Sequence, residues 1–276
     1  MSLQGKIVLI PGASRPIGRA IARKFGKLGA TLVLPVHDWP ESITEMEDEF
    51  QTAKFDYFSS AVDLRQENEV LTLAENVRAR FGALDFLINN IERGGMPAVH
   101  GSYDQLHNKA QWDIELETTI KAKWLLHHYF YPIMQDRVGG AIVNISSIAA
   151  ITGRSGPAAP FFSDGYSAAN RAIQSFTETW AKEAAPTLRV NELMLGFIQY
   201  RHGEGTRGWE TLTDQEKKDL HMTILLQRTG FPDEVAAAVY FLAVEASYIT
   251  STVLRMDGGF PHGGNKVPPI PPGILT

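Results

Sequence analysis

The sequence predicts an α/β fold: a doubly wound parallel sheet with helices on both faces, in a single domain. Three observations lead there. Short apolar runs alternate along the chain with stretches of helical periodicity. No internal repeat or linker divides the 276 residues, which suffice for one large domain with a proper core. A glycine-containing turn, residues 12–18, joins the first apolar run to the first helical stretch, and strand, turn, helix is the setting in which a glycine motif binds phosphate.

Each element follows in order. Residues 6–10, Lys-Ile-Val-Leu-Ile, read as a buried strand. Ile17, Ala20, Ile21, Phe25 and Leu28 recur at helical spacing, so the first helix starts as the turn ends. Free backbone N–H groups and the positive end of the helix dipole then converge on one point, which suits a pyrophosphate. Gly29 sits where a helix ends, and residues 31–34 form a second strand. Pro35 should end that strand, because proline cannot donate to a ladder. Residues 41–52 are an acidic amphipathic helix, 56–62 a third strand, 67–81 a helix and 84–88 a fourth strand followed by Asn89-Asn90. A loop over 91–110 leads to a long helix, 112–134.

Strand five, 140–145, runs into Ser146-Ser147. A Gly/Pro-rich stretch, 153–165, precedes a second long helix from Tyr166 to about residue 185. Residues 189–194 are the sixth strand, and 199–218 are a polar segment before two more helical stretches. The second of these opens at Pro232-Asp233-Glu234, with proline and acids in its first turn. Residues 252–256 are the last strand, closed by Asp257-Gly258-Gly259. The domain thus spans 1–260, and the Pro- and Gly-rich residues 261–276 form an extended tail. Right-handed crossovers bring Gly12, Asp63, Asn89 and Ser147 to the carboxyl ends of their strands, where a ligand lies by the topological switch point.

Composition narrows the function. A net charge of −5 points away from nucleic acid, and polar residues break every apolar run before membrane length. With no cysteine, disulfides, thiolate catalysis and cysteine-ligated metals are excluded. The histidines show no metal-ligand spacing, so no metal is expected. A cytoplasmic protein is the expectation.

The motifs, in order, resemble the short-chain dehydrogenase/reductase family over nearly the whole chain. Pro11-Gly12-Ala13-Ser14-Arg15-Pro16-Ile17-Gly18 is similar to TGxxxGIG, Asp63-Leu64 to the family's adenine-contacting acid, and Asn89-Asn90 to the start of NNAG. Residues 142–147 are similar to the strand carrying the catalytic serine, and Tyr166 opens a segment similar to YxxxK. Arg189-Val190-Asn191 and Asp257-Gly258-Gly259 match late landmarks. The resemblance implies a Rossmann fold and hydride transfer between a nicotinamide cofactor and a carbonyl or alcohol on a small molecule. It implies a catalytic set of Ser147, Tyr166, Asn170 and Thr119. For the cofactor it implies Gly12, Ser14, Arg15, Ile17, Gly18, His37, Asp63, Leu64, Asn89 and Asn170. It also implies a homo-oligomer, dimer or tetramer, built on the two long helices.

Departures from the family pattern bear on the chemistry. Asn170 stands where the family has lysine, Thr119 where it has asparagine, Pro16 where it has the middle glycine, and the spacing from Ser147 to Tyr166 is longer. Asn170 can replace the lysine's hydrogen bond to the ribose but not its charge. Arg154 is the better candidate for a replacement cation, since Arg171 points away from the four-residue position. Val36-His37 at the tip of the second strand, with Arg15 in the turn, favours NADP, with NAD as the alternative. Phe161, Phe162, Tyr200 and Trp209 are candidate pocket residues for an apolar or aromatic substrate. The favoured function is a reductase with Tyr166 as proton donor. The alternative is a catalytically silent dinucleotide-binding or partner subunit, and altered chemistry such as dehydration is a third reading.

Overall fold

The computed structural model describes residues 2–91 and 106–264. Seven parallel strands form one sheet: β1 (Ile7–Leu9), β2 (Thr31–Val36), β3 (Tyr57–Ala61), β4 (Phe86–Asn89), β5 (Gly140–Ser147), β6 (Leu188–Leu195) and β7 (Val253–Met256). Their order is β3-β2-β1-β4-β5-β6-β7. The order reverses between β1 and β4, and the chain ends that meet there open a crevice.

Alternate strand residues face opposite sides. On one face Val8, Leu32, Leu34, Ile88 and Val143 meet α1 (Pro16–Lys27) and α8 (Pro232–Tyr240), through Ile21, Phe25, Val235 and Val239. On the other, Leu9, Val33, Leu87 and Ile142 meet α3 (Glu67–Phe81), α5 (Ala122–Met134) and α6 (Asp164–Ala184). With both faces covered, central strands such as β5 are buried at every residue, which is why they read as continuous apolar runs. The acidic helix α2 (Pro40–Thr52) and the polar α7 (Asp214–Thr223) lie nearer solvent. A third apolar cluster beyond the sheet's carboxyl edge joins Ile148, Phe161, Phe162, Tyr166, Phe197, Trp209 and Phe260. Among the described residues no helix is long and apolar enough to cross a membrane.

The structure differs from the sequence reading in three places. Strand β2 runs through Pro35, which pairs with Ser60, and ends at Val36. The Val33 carbonyl accepts from the Ile10 N–H, so Pro35, two residues on, also faces β1. Strand β1 has ended at Leu9 by then, so the missing proline N–H lacks no ladder partner. Second, the long helix is two helices: α4 (Leu106–Leu116) and α5 are joined by a π-helical turn, Glu117–Lys121. Third, α6 starts before Tyr166, capped by Ser163, whose Oγ accepts the Tyr166 N–H. Most of the loop over 91–110, and the tail from 265 on, lie outside the described residues.

Candidate functional site: a crevice along the carboxyl edge of the sheet

A cavity of 340 Å³ follows the carboxyl edge of the sheet. Its walls come from the turn after β1 (Gly12, Ser14, Arg15, Pro16, Ile17, Gly18), the tip of β2 (Val36, His37) and the end of β3 (Asp63, Leu64, Arg65). Asn90, Thr118 and the segment after β6 (Tyr200, Arg201, His202, Arg207) complete it.

The turn after β1 is tight. Gly12 has φ +68°, and a Cβ there would stand 2.8 Å from the Asn90 carbonyl oxygen. A Cβ on Gly18 would stand 2.2 Å from the Gly12 oxygen. Asn90 Nδ2 donates to the Pro11 carbonyl at 3.2 Å and ties the turn to β4. Pro16 is the first residue of α1, a position where its absent N–H has no intrahelical partner. No side chain caps α1, so its first N–H groups face the cavity.

At the β2 end of the cavity, Arg15 stacks on the Trp39 ring at 4.4 Å and donates to Ser42 Oγ at 3.2 Å. Burial, with Arg19 nearby, lowers its pKa. Asp63 is gripped by Arg65 through two side-chain bonds of 2.8 and 2.7 Å. That pairing holds the Asp63 carboxyl down at about 2. His37 is half-exposed beside it, 3.9 Å from Asp63 Oδ2 and 3.6 Å from Asp38 Oδ1. Leu64 is buried and supplies an apolar wall.

Ser147 and Tyr166 lie outside the cavity lining, behind Arg201 and His202; Ser147 is the last residue of β5, and its Oγ accepts the Ala149 N–H at 3.2 Å. Tyr166 is fully buried, its ring packed against Phe162 and, at 5.2 Å, against His202. Arg201 Nη2 donates to Tyr166 Oη at 3.1 Å and to the Ser146 carbonyl at 3.3 Å. One guanidinium therefore joins the phenol to the end of the serine strand.

Several expected residues sit behind the crevice. Asn89 is buried, outside the cavity lining, and its Nδ2 donates to Asn144 Oδ1, which continues to Thr177. The neighbouring Asn90 lines the crevice instead, because successive strand residues face opposite ways. Asn170 is buried and turns its Nδ2 onto the Tyr166 carbonyl of its own helix at 3.0 Å, while its Oδ1 has no partner. Thr119 is buried on the π-helical turn with its Oγ1 unbonded, whereas Thr118 lines the cavity. Phe161, Phe162 and Trp209 are core residues of the third cluster; of the four aromatic candidates only Tyr200 reaches the cavity. Arg154 lies at the surface, 3.7 Å from Asp164. The cation at the tyrosine is Arg201, which sequence reasoning missed. Its one signal was position: it follows β6 by six residues, in a segment that must cross the carboxyl edge.

Behind Ser147 lies a polar interior. Lys123 is fully buried and donates to the Ile145 carbonyl at 2.7 Å, and Ser146 Oγ donates to the buried Glu192. Burial pushes the Glu192 carboxyl up.

The comparisons with known proteins agree with this geometry. The sequence model of the family described as Enoyl-(Acyl carrier protein) reductase matches residues 12–261. The chain is similar to the 3-oxoacyl-[acyl-carrier-protein] reductase FabG of Thermotoga maritima, 30% identical over 263 residues, 94% of this chain and 99% of the relative. It is also similar to Glucose 1-dehydrogenase 2 of Bacillus subtilis, 30% identical over 260 residues, 93% of this chain and 95% of the relative. In fold it is similar to a short-chain dehydrogenase/reductase from Serratia marcescens, with a TM-score of 0.79, 24% identity, and 94% and 99% of the two chains covered. With nearly its full length matched by the family model and by these relatives, the chain belongs to the short-chain dehydrogenase/reductase family of NAD(P)-dependent oxidoreductases.

Proposed function

We propose that the protein reduces the carbonyl group of a small molecule to an alcohol, using NADPH, with Tyr166 as the proton donor. The observation that carries this reading is the position of Tyr166 Oη, directly behind the crevice wall formed by Arg201 and His202 and tied by Arg201 to the end of β5, the strand that carries Ser147. The two glycines without room for a Cβ and the uncapped start of α1 fit a pyrophosphate. Gly12, Ser14, Ile17 and Gly18 would hold it. Arg15 would meet a 2′-phosphate, since no acid occupies the His37 position at the tip of β2. His37, Asp63 and Leu64 would frame the adenosine.

A bound reduced nicotinamide supplies the hydride to the carbonyl carbon. Ser147 polarises the carbonyl oxygen through its hydroxyl. Tyr166 gives that oxygen its Oη proton, so a phenolic O–H bond breaks as the alcohol O–H forms. A neutral tyrosine is already a proton donor near neutral pH, which is what carbonyl reduction requires. Asn170 orients the first turns of α6 through its bond to the Tyr166 carbonyl, and Thr119 packs behind it.

The relatives' names cover a 3-oxoacyl-[acyl-carrier-protein] and glucose, and of the aromatic pocket candidates Phe161, Phe162 and Trp209 are core, so the substrate is assigned only as a carbonyl compound. The exposed Trp124, stacked on His128 at 5.1 Å on α5, supports a homo-oligomer. A cysteine-free chain needs no oxidising compartment, which supports a cytoplasmic location. The test is NADPH oxidation with a panel of aldehydes and ketones. Wild type should turn over, and Tyr166→Phe should lose about 10²-fold or more while still binding NADPH. A wild-type protein inert with both NADPH and NADH defeats the reading.

A further inference from the structure

The hydrogen bond between Arg201 and Tyr166 assigns a role that the missing lysine leaves open. We propose that Arg201 is the positioning residue that supplies the positive charge for Tyr166, in place of a lysine four residues along the helix. This rests on the reading of Tyr166 as proton donor.

Position four along the helix holds Asn170, a neutral amide committed to the Tyr166 carbonyl. The guanidinium of Arg201 comes from the opposite direction, the segment after β6, and reaches the phenol oxygen itself at 3.1 Å. That segment is built to aim it. The backbones of Ile198 and Arg201 exchange two hydrogen bonds across a tight turn. Tyr200 and His202, on either side of Arg201, have φ of +64° and +61°, a left-handed conformation that side-chain-bearing residues adopt only when their surroundings impose it. Gly203 could not carry a Cβ, which would stand 2.8 Å from the Ile198 oxygen. Glu204 fixes the far side through Thr229 and through His221 at 3.0 Å.

A guanidinium at hydrogen-bond distance favours the phenolate over the phenol. When the Tyr166 Oη–H bond breaks and the proton moves to the substrate oxygen, the reductant being the nicotinamide of the reading above, the phenolate left behind lies against Arg201. Other titratable groups around Tyr166 are His202 against its ring, Glu115 through Ser163, and Glu192 and Lys123 behind β5. An ordinary imidazole titrates near pH 6.5 and a carboxyl lower, so neither mimics a change in the alkaline range; an ammonium does titrate there, but Lys123 is present in every variant compared, so the Arg201 comparison isolates the guanidinium.

The experiment needs no substrate. Tyrosinate absorbance is titrated with alkali in wild type, Arg201→Gln and Arg201→Lys, each minus its Tyr166→Phe counterpart, with circular dichroism confirming a folded chain at each pH. The Tyr166 midpoint should rise by about one unit or more in Arg201→Gln, the size expected on losing an adjacent opposite charge. It should return towards wild type in Arg201→Lys. An unchanged midpoint in Arg201→Gln, or a Tyr166 silent in wild type until the chain unfolds, overturns the proposal. If Arg201→Gln does not fold, the Arg201→Lys and Arg201→Met pair carries the same comparison. Turnover is the second readout: Arg201→Gln should lower kcat by about 10-fold or more. Equal or faster turnover would mean that the guanidinium only covers the tyrosine. Wild type without turnover, but with the predicted shift in midpoint, would defeat the reductase reading and leave the Arg201–Tyr166 coupling intact.

Discussion

Gly18 has no room for a side chain: a Cβ would stand 2.2 Å from the Gly12 oxygen and 2.8 Å from Asn90 Nδ2. The contact is between protein atoms, so the glycine closes the turn onto α1 whether or not a phosphate is present. Gly18→Ala is therefore expected to lower unfolding stability by about 1–3 kcal/mol and to weaken NADPH binding, read by denaturant titration and by cofactor fluorescence. Arg15 acts at the other end of the cofactor. Arg15→Ala should weaken NADPH binding by about 10-fold or more and leave NADH binding unchanged, because a charge-assisted bond to the 2′-phosphate is worth about 1.5–3 kcal/mol. Equal losses for both cofactors would remove the NADP assignment. At this scale the placement of Gly12, Gly18 and Ser147 just at or after strand ends was legible, because spacing from a strand end fixes which edge they reach. Asn89 against Asn90 was not, because a slip of one residue reverses the face. Arg201 was not either, because its approach to Tyr166 depends on a turn with two left-handed residues that no periodicity marks.

Helix α5 carries a titrating group in its buried face. His127 lies between Trp180, at 4.1 Å and 2°, and Tyr131, at 5.3 Å and 10°. Burial, with His128 adding to it, holds its pKa down at about 4. Between pH 6.5 and about 4 the unfolded chain takes up a proton that the folded chain refuses, so stability falls as pH is lowered through that window. The full effect is on the order of 3 kcal/mol. His127→Phe keeps a ring in the stack and should flatten the stability profile from pH 6.5 to 4, measured by urea unfolding. A slope equal to wild type would show that other groups set it. The alternation of strands and helices was legible from period and length. The π-helical turn at Glu117–Lys121 and the passage of β2 through Pro35 were not. The first is one extra residue in a helical repeat, and the second is tolerated only because β1 has already ended.

Across the whole molecule, the sheet order places the crevice at the β1/β4 reversal, and six chain segments far apart in sequence share it. That much of the site followed from topology alone. The rest did not: the aromatic residues before Tyr166 fold into a third core with Phe197 and Phe260, and the segment after β6 forms the wall instead. Oligomerisation belongs to this scale as well. Trp124 is 44% exposed on α5, and Trp124→Glu is expected to shift the assembly towards monomers in analytical ultracentrifugation, with the circular dichroism of the fold retained. A wild-type protein that sediments as a monomer would contradict this. The central claim is that a nicotinamide cofactor bound along this edge delivers its hydride to a carbonyl while Tyr166 delivers the proton. Its most direct measurement is transfer of label from deuterated NADPH to the carbinol carbon of the product, read by mass spectrometry for wild type and Tyr166→Phe. Label in the wild-type product, and about 10²-fold slower labelling with Tyr166→Phe, is the predicted result; no labelled product from wild type, or equal labelling by both proteins, would contradict it.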